Sequence, residues 1–287
     1  MIDPGLLLLL RCPDCGGTLA GSGLSALECR ACTRRYAVLE GGIPSLLPTT
    51  PKPLPPDYED PDYQRMIAVF DDASSYFTDG NAAFSAIHNS SHRTIAAWQS
   101  RAPAAGWTCD VGCGQGYHWP HFAGAQGRLV GIDIRADSLQ RIRGRYPDAR
   151  LVQADATRLP FSDGTFERVL SVYALEHVYH LNDAVAEIRR ITSASGQALV
   201  GLPCEGGLAW TLGRKVTSER TMSRRYGLDY RRYIRLAHCN TAQAVLTALD
   251  RHFRVEQRTH FPLPFIPGLT FNLTVSLALT PRPGTPA

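Results

Sequence analysis

No stretch of the 287-residue chain approaches the ~20 apolar residues needed to cross a bilayer, and its compact leucine run, Leu6 to Leu10, is too short to serve as one. That run has no basic region before it and meets Arg11 and Cys12 at once, so it does not read as a secretion signal. A cytoplasmic protein is expected. Charge of one sign is scarce: the formal net charge is +4, which chooses no class of partner by itself. Lysine is nearly absent, Lys52 and Lys215 being the two, so the cations are arginines, concentrated between Arg214 and Arg235. Guanidinium clusters of that kind suit an anionic substrate, whether phosphate, carboxylate or nucleic acid. With 44% hydrophobic and 20% charged residues, the chain has the composition of a globular protein rather than a disordered one.

Four of the eight cysteines form two knuckles, Cys12-Pro13-Asp14-Cys15 and Cys29-Arg30-Ala31-Cys32. Four thiolates at this spacing close a tetrahedral zinc site, which organises a segment too short to hold itself together by burial. A full thiolate set leaves no open position for water, so the metal is expected to be structural. Cys109, Cys113, Cys204 and Cys239 stand apart and read as free thiols. The ribbon spans 1–48, a proline-rich linker 49–61, the main domain 62–280 and a frayed tail 281–287. Within 62–100 the apolar spacing predicts two or more helices, interrupted at Asp79-Gly80-Asn81.

From Trp107 onward, short apolar runs alternate with helical segments. Thr108 to Val111, Leu129 to Ile132, Arg150 to Gln153, Arg168 to Val172 and Ala198 to Leu202 read as strands. Ala136 to Arg145, Asn182 to Ile191 and Thr241 to His252 read as helices. Arg254 to His260 and Leu273 to Leu279 read as an antiparallel pair at the sheet edge. The fold class is therefore α/β: a Rossmann-like, mostly parallel seven-stranded sheet with helices on both faces, plus the small amino-terminal zinc ribbon and a helical lid inserted at about 203–240.

Asp110-Val111-Gly112-Cys113-Gly114-Gln115-Gly116 follows the first of these strands, where glycines let the backbone approach a ligand. A dinucleotide fingerprint asks for a further glycine where Tyr117 stands, which weighs against an NAD-dependent oxidoreductase. Asp133 ends the next strand, placed to hold a ribose diol, with Ile134 after it. Asp155-Ala156 follows the third strand, and the fourth runs Ser171-Val172-Tyr173-Ala174-Leu175-Glu176-His177. Together these resemble class I S-adenosylmethionine-dependent methyltransferases of the type 11-like family. The resemblance implies cofactor roles for Asp110, Gly112, Gly114, Gly116, Asp133, Ile134, Asp155, Ala156 and Ser171, with Asp155 and Ala156 flanking the adenine.

The amino-terminal segment, with Gly16-Gly17-Thr18-Leu19 and Gly42-Ile43-Pro44, resembles a Trm112-like zinc ribbon. For the acceptor, the lid offers Trp210, Arg214, Arg224, Arg225 and Tyr230, although at least half of the lid arginines are expected to pair with carboxylates or cover a solvated face. His177, His238 and Tyr173 are the candidate catalytic groups, with Tyr179 behind them. The reading is methyl transfer from S-adenosylmethionine to a small-molecule or glycan-type acceptor, at oxygen. An rRNA guanine-N1 methyltransferase, whose order of parts is similar, and a non-catalytic cofactor-binding scaffold remain the alternatives.

Overall fold

The computed structural model describes residues 2–21, 25–69, 82–121, 128–216, 218–227 and 229–283, the side chains of 82–84, 221 and 225 excepted. The chain opens with helix α1 (Pro4–Leu9), where proline occupies the first turn and the Asp3 carboxylate accepts the Leu6 N–H at 2.8 Å. Strands β1 (Leu19–Gly21), β2 (Ala26–Cys29), β3 (Arg35–Leu39) and β4 (Ile43–Leu46) follow. Residues 61–69 form α2, and α3 spans Ala82–Arg101. Next come β5 (Thr108–Val111), β6 (Leu129–Asp133), α4 (Ala136–Arg145), β7 (Arg150–Ala154), β8 (Phe166–Val172), α5 (Leu181–Ile191) and β9 (Thr192–Pro203). Three lid helices, α6 (Leu208–Val216), α7 (Ser218–Tyr226) and α8 (Tyr230–Ala237), precede α9 (Ala242–Asp250), β10 (Phe253–Phe261) and β11 (Thr274–Pro281).

Seven strands in the order β7-β6-β5-β8-β9-β11-β10 make the central sheet, parallel through β9 and antiparallel at β11 and β10. The expected strands are all present; β9 starts at Thr192 rather than Ala198. Alternation along the strands divides the core between two faces. Cys109, Val111, Val130, Ile132 and Val152 pack with α5 and α9. Leu129, Leu151, Leu170 and Leu199 point the other way, against Ile95 and Trp98 of α3 and Leu139 and Ile142 of α4. Among the described residues, no helix is long and apolar enough to cross a membrane.

The ribbon extends this sheet rather than hanging from it. Strand β4 pairs parallel with β7 through Ser45↔Gln153 and Leu46↔Ala154, and the Ser45 hydroxyl donates to Gln153 Oε1 at 2.7 Å. Leu6, Leu10, Leu27 and Leu46 are buried in the same apolar cluster as the α5 side of the domain, and Arg150 pairs with Asp3 at 2.9 Å. The leucine run thus seats the ribbon on the domain. Beyond it, the proline-rich stretch delivers α2 to the lid, where Tyr63 and Met66 pack on Met222, Tyr230, Tyr233 and Ile234.

Candidate functional site

Parallel register brings the carboxyl ends of β5, β6 and β8 to one crevice, since Asp110 sits opposite Gly131 on one side and Leu170 on the other. The turn leaving β5 has positive φ at Gly112 (73°), Gly114 (53°) and Gly116 (68°), a conformation that glycine adopts without penalty. At Gly112 the requirement is also steric: a Cβ there meets Ala174 Cβ at 2.4 Å, so the absent side chain lets the end of β8 close on the turn. A Cβ on Gly114 meets nothing within 4 Å and projects into open space.

Asp133 ties the turn to β6. One carboxylate oxygen accepts the Gly114 N–H at 2.8 Å and the other the Arg135 N–H at 2.9 Å. Burial raises its pKa above the usual carboxylate range, against the pull of those two donors. Register places Asp133 opposite Gln153 on β7, so Asp155 leaves the neighbouring strand at the same end. There its Oδ1 accepts the Thr157 N–H at 2.8 Å, a local turn with Ala156 half-buried inside it. Ile134 is left 56% exposed beside these carboxylates, an apolar surface at the mouth of a polar crevice.

Asp110, expected to serve the cofactor, is tied on one oxygen to the segment after the turn. Its fully buried Oδ2 accepts from both His118 Nε2 and Trp119 Nε1 at 2.7 Å, which anchors the segment after the glycine turn. Its Oδ1 has no partner among the described residues, and neither does the buried Ser171 hydroxyl. Tyr173 closes the crevice from β8 with φ of 56°, a left-handed conformation that non-glycine residues keep only under external constraint. Burial pushes its phenol up to about 12, which favours the neutral form.

Beyond β8, the lid adds a pair that sequence reasoning half found. His238 Nδ1 lies 3.2 Å from Glu205 Oε2, an oxygen that also accepts from Trp210 Nε1. Burial works to raise the Glu205 carboxyl, but His238 and Trp210 hold it below the usual range. With Nδ1 as donor to Glu205, His238 keeps Nε2 bare. His177 packs edge-on against His238 at 4.6 Å and donates from Nδ1 to the Ala237 carbonyl at 2.6 Å. Its pKa is lowered by burial and by its neighbour, although the residue as a whole keeps exposed surface. Glu176, next in sequence, is 2% exposed, its Oε2 without a partner among the described residues, and burial followed by the charge of Glu205 raises its carboxyl to about 8.

Four further histidines gather on the α3 side of the crevice. His88 stacks on Tyr173 at 5.1 Å, and His92 lies 4.7, 5.3 and 5.9 Å from His88, His118 and His121. Burial keeps His88 and His92 in the neutral form. The i, i+4 spacing of His88 and His92 was the one signal in the sequence, and it matched any helix face.

Of the other acceptor candidates, Trp210 and Arg214 reach the Glu205 cluster. Tyr230, an expected acceptor residue, is buried in the packing between α2 and the lid. Arg224 lies exposed on α7, and the Arg225 side chain is outside the described residues. Arg231 and Arg232 are engaged by Glu219 and Asp60. Tyr179 packs edge-on against Tyr58 and His180.

The four ribbon cysteines bring their sulfurs within 4.8 Å of one another, with Cys12–Cys32 at 3.7 Å and Cys15–Cys29 at 3.5 Å. A tetrahedron with Zn–S bonds of about 2.3 Å needs S···S separations near 3.8 Å, so the donor set fits. A Cβ on Gly17 would stand 2.9 Å from Cys29 Sγ, which explains glycine at that knuckle. The Ala31 N–H, 3.4 Å from Cys29 Sγ, places a donor at that sulfur, while Tyr36 Oη, which donates to Asp14 at 2.7 Å, lies 3.0 Å from Cys12 Sγ. The remaining four cysteines are free thiols.

Residues 109–200 match the family described as a methyltransferase domain. A demethylmenaquinone methyltransferase of Renibacterium salmoninarum is 29% identical over 135 residues, 47% of this chain and 57% of that protein. A malonyl-[acyl-carrier protein] O-methyltransferase of Erwinia billingiae is 31% identical over 90 residues, 31% of this chain and 36% of that protein. The chain spans about a third to just over half of the length of the curated relatives it matches. In fold, it superposes on N-methyltransferase NodS from Bradyrhizobium japonicum in complex with S-adenosyl-L-homocysteine, with a TM-score of 0.54, 15% identity and coverage of 78% of this chain and 100% of that one. The sheet and its helices are those of the Rossmann-like methyltransferase fold.

Proposed function

We propose that this protein transfers a methyl group from S-adenosylmethionine to an oxygen of a small-molecule or sugar acceptor. The observation that carries the reading is the clamp between Asp133 and Gly114, which fixes a carboxylate at the rim of a crevice whose floor is a positive-φ glycine turn. Asp133 holds the ribose diol, Asp155 accepts from the adenine amine, and Ile134 and Ala156 cover the ring. Gly112, Gly114 and Gly116 admit the methionyl end, with the unpartnered Asp110 Oδ1 and Ser171 hydroxyl behind them. When bound, the cofactor supplies an electrophilic methyl group on sulfur.

The chain's own task is to align the acceptor and exclude water. His238 Nε2 takes the acceptor's hydroxyl proton, and Glu205 holds Nδ1–H and stabilises the imidazolium that forms. His177 and Tyr173, both neutral, orient the acceptor. The cysteines hold one zinc ion in a structural role. Against RNA as acceptor stands the use of these basic groups: Arg34 is paired with Asp14 at 2.8 Å, Arg231 with Glu219 and Arg232 with Asp60. The quinone and O-methyltransferase relatives agree with a small or carrier-bound acceptor.

Calorimetric titration tests the reading. S-adenosylhomocysteine should bind wild type, and Asp133→Ala should weaken it by about tenfold to a hundredfold, the worth of one or two hydrogen bonds to a charged group. Binding of NAD alone would overturn it.

A further inference from the structure

Among the described residues, seven of the twelve exposed large apolar side chains lie on two neighbouring segments, α6 and the loop joining β10 to β11. On α6, Leu208, Leu212 and Val216 recur every four residues and form one outward stripe. On the loop, Leu263, Phe265, Ile266 and Phe271 are exposed, Phe265 to 94%. The Ala209 N–H donates to the Thr270 carbonyl at 2.8 Å, joining the start of the helix to the loop.

The protruding loop is built, not slack. Pro262, Pro264 and Pro267 restrict its backbone. From inside, the fully buried Asn272 accepts the Leu263 N–H and donates to the Ile266 and Gly268 carbonyls, each at 2.9 Å. A buried amide is thus committed to holding Phe265 and Ile266 out in water. Cations stand nearby: Lys215 on α6, and Arg220 and Arg224 on α7, which packs against α6, are exposed with no carboxylate partner among the described residues.

We propose that α6 and the β10–β11 loop form a docking surface for an anionic lipid bilayer. Exposed aliphatic and aromatic side chains enter the boundary between headgroups and acyl chains, while flanking cations meet anionic headgroups. A protein partner is the poorer fit, because binding hot spots anchor in pockets and this surface projects a braced tip. Docking needs neither cofactor nor acceptor, so its failure and that of the methyl-transfer reading are separable.

Vesicle sedimentation of the full chain tests the proposal. Vesicles of equal parts phosphatidylglycerol and phosphatidylcholine should carry the protein down, several-fold more than phosphatidylcholine alone, with the excess lost in high salt. Phe265→Ser combined with Leu212→Ser should reduce partitioning about tenfold or more. Lys215→Gln with Arg220→Gln should remove the preference for anionic lipid. All four positions are exposed, and circular dichroism confirms the fold of each variant. Absence of vesicle binding, or binding undiminished by F265S/L212S, would overturn the proposal. So would a dimer in light scattering that this double variant dissociates, or binding of an acidic carrier protein at this face in place of vesicles.

Discussion

Replacing Glu176 by glutamine should change how stability depends on pH more than it changes stability at low pH. Glu176 sits in a turn stapled to the lid: Asn240 donates through its side chain to the Leu175 and Val178 carbonyls at 3.0 and 2.7 Å, and its N–H reaches the Glu176 carbonyl at 3.1 Å. The carboxyl therefore cannot swing out to water without breaking the staple. Its pKa is about 8 in the folded chain against an ordinary 4.5. Between these values the folded state holds a proton that the unfolded state has released, so the stability present below pH 4.5 is lost as pH rises and levels off above 8. At about 1.4 kcal/mol per pH unit, the loss between pH 5 and pH 8 is roughly 3 kcal/mol as an upper figure. Glutamine has the same shape and no charge. Equilibrium urea unfolding without cofactor should give wild type and Glu176→Gln similar stability at pH 5, with the variant ahead by about 2–3 kcal/mol at pH 8. Parallel pH profiles would refute the reasoning, by showing that Glu176 ionises with a partner.

Gly112→Ala should destabilise the chain by about 2–4 kcal/mol, since it combines a left-handed alanine with the 2.4 Å approach to Ala174 Cβ. It should also weaken S-adenosylhomocysteine at least about tenfold by calorimetry; unchanged affinity would place the cofactor elsewhere. Atomic absorption should find one zinc ion per chain, and chelation or Cys15→Ser should remove it and lower the melting temperature by roughly 10 °C. A metal-free protein indifferent to chelator would discard the zinc assignment.

The parts of the site legible in the sequence were those fixed by short-range geometry. Gly112 to Gly116, Asp133 and Asp155 each follow a strand, and parallel strands end together, so their spacing already implied a common crevice. The cysteine pairs were legible for the same reason. What escaped depends on distant segments meeting. Glu205 gains its meaning from His238 across the lid, and His88 and His92 from the loop holding His118 and His121. Asp110 looked like a ligand group, but whether a strand-end carboxylate faces the crevice or the core turns on the Trp119 and His118 that fold back over it. The merger of ribbon and sheet was also hidden, because β4 carries no mark of its partner in its own four residues.

The seam between β4 and β7 gives the ribbon a protective duty. Without β4, the outer backbone of β7 becomes an open strand edge, the kind of surface on which unrelated chains add and aggregate. The cysteine cluster shares the apolar packing of that seam. Stripping the proposed zinc from the cluster would therefore announce itself as clumping of the chain, and because the seam lies at Gln153 and Ala154, directly before Asp155, that side of the crevice would loosen with it.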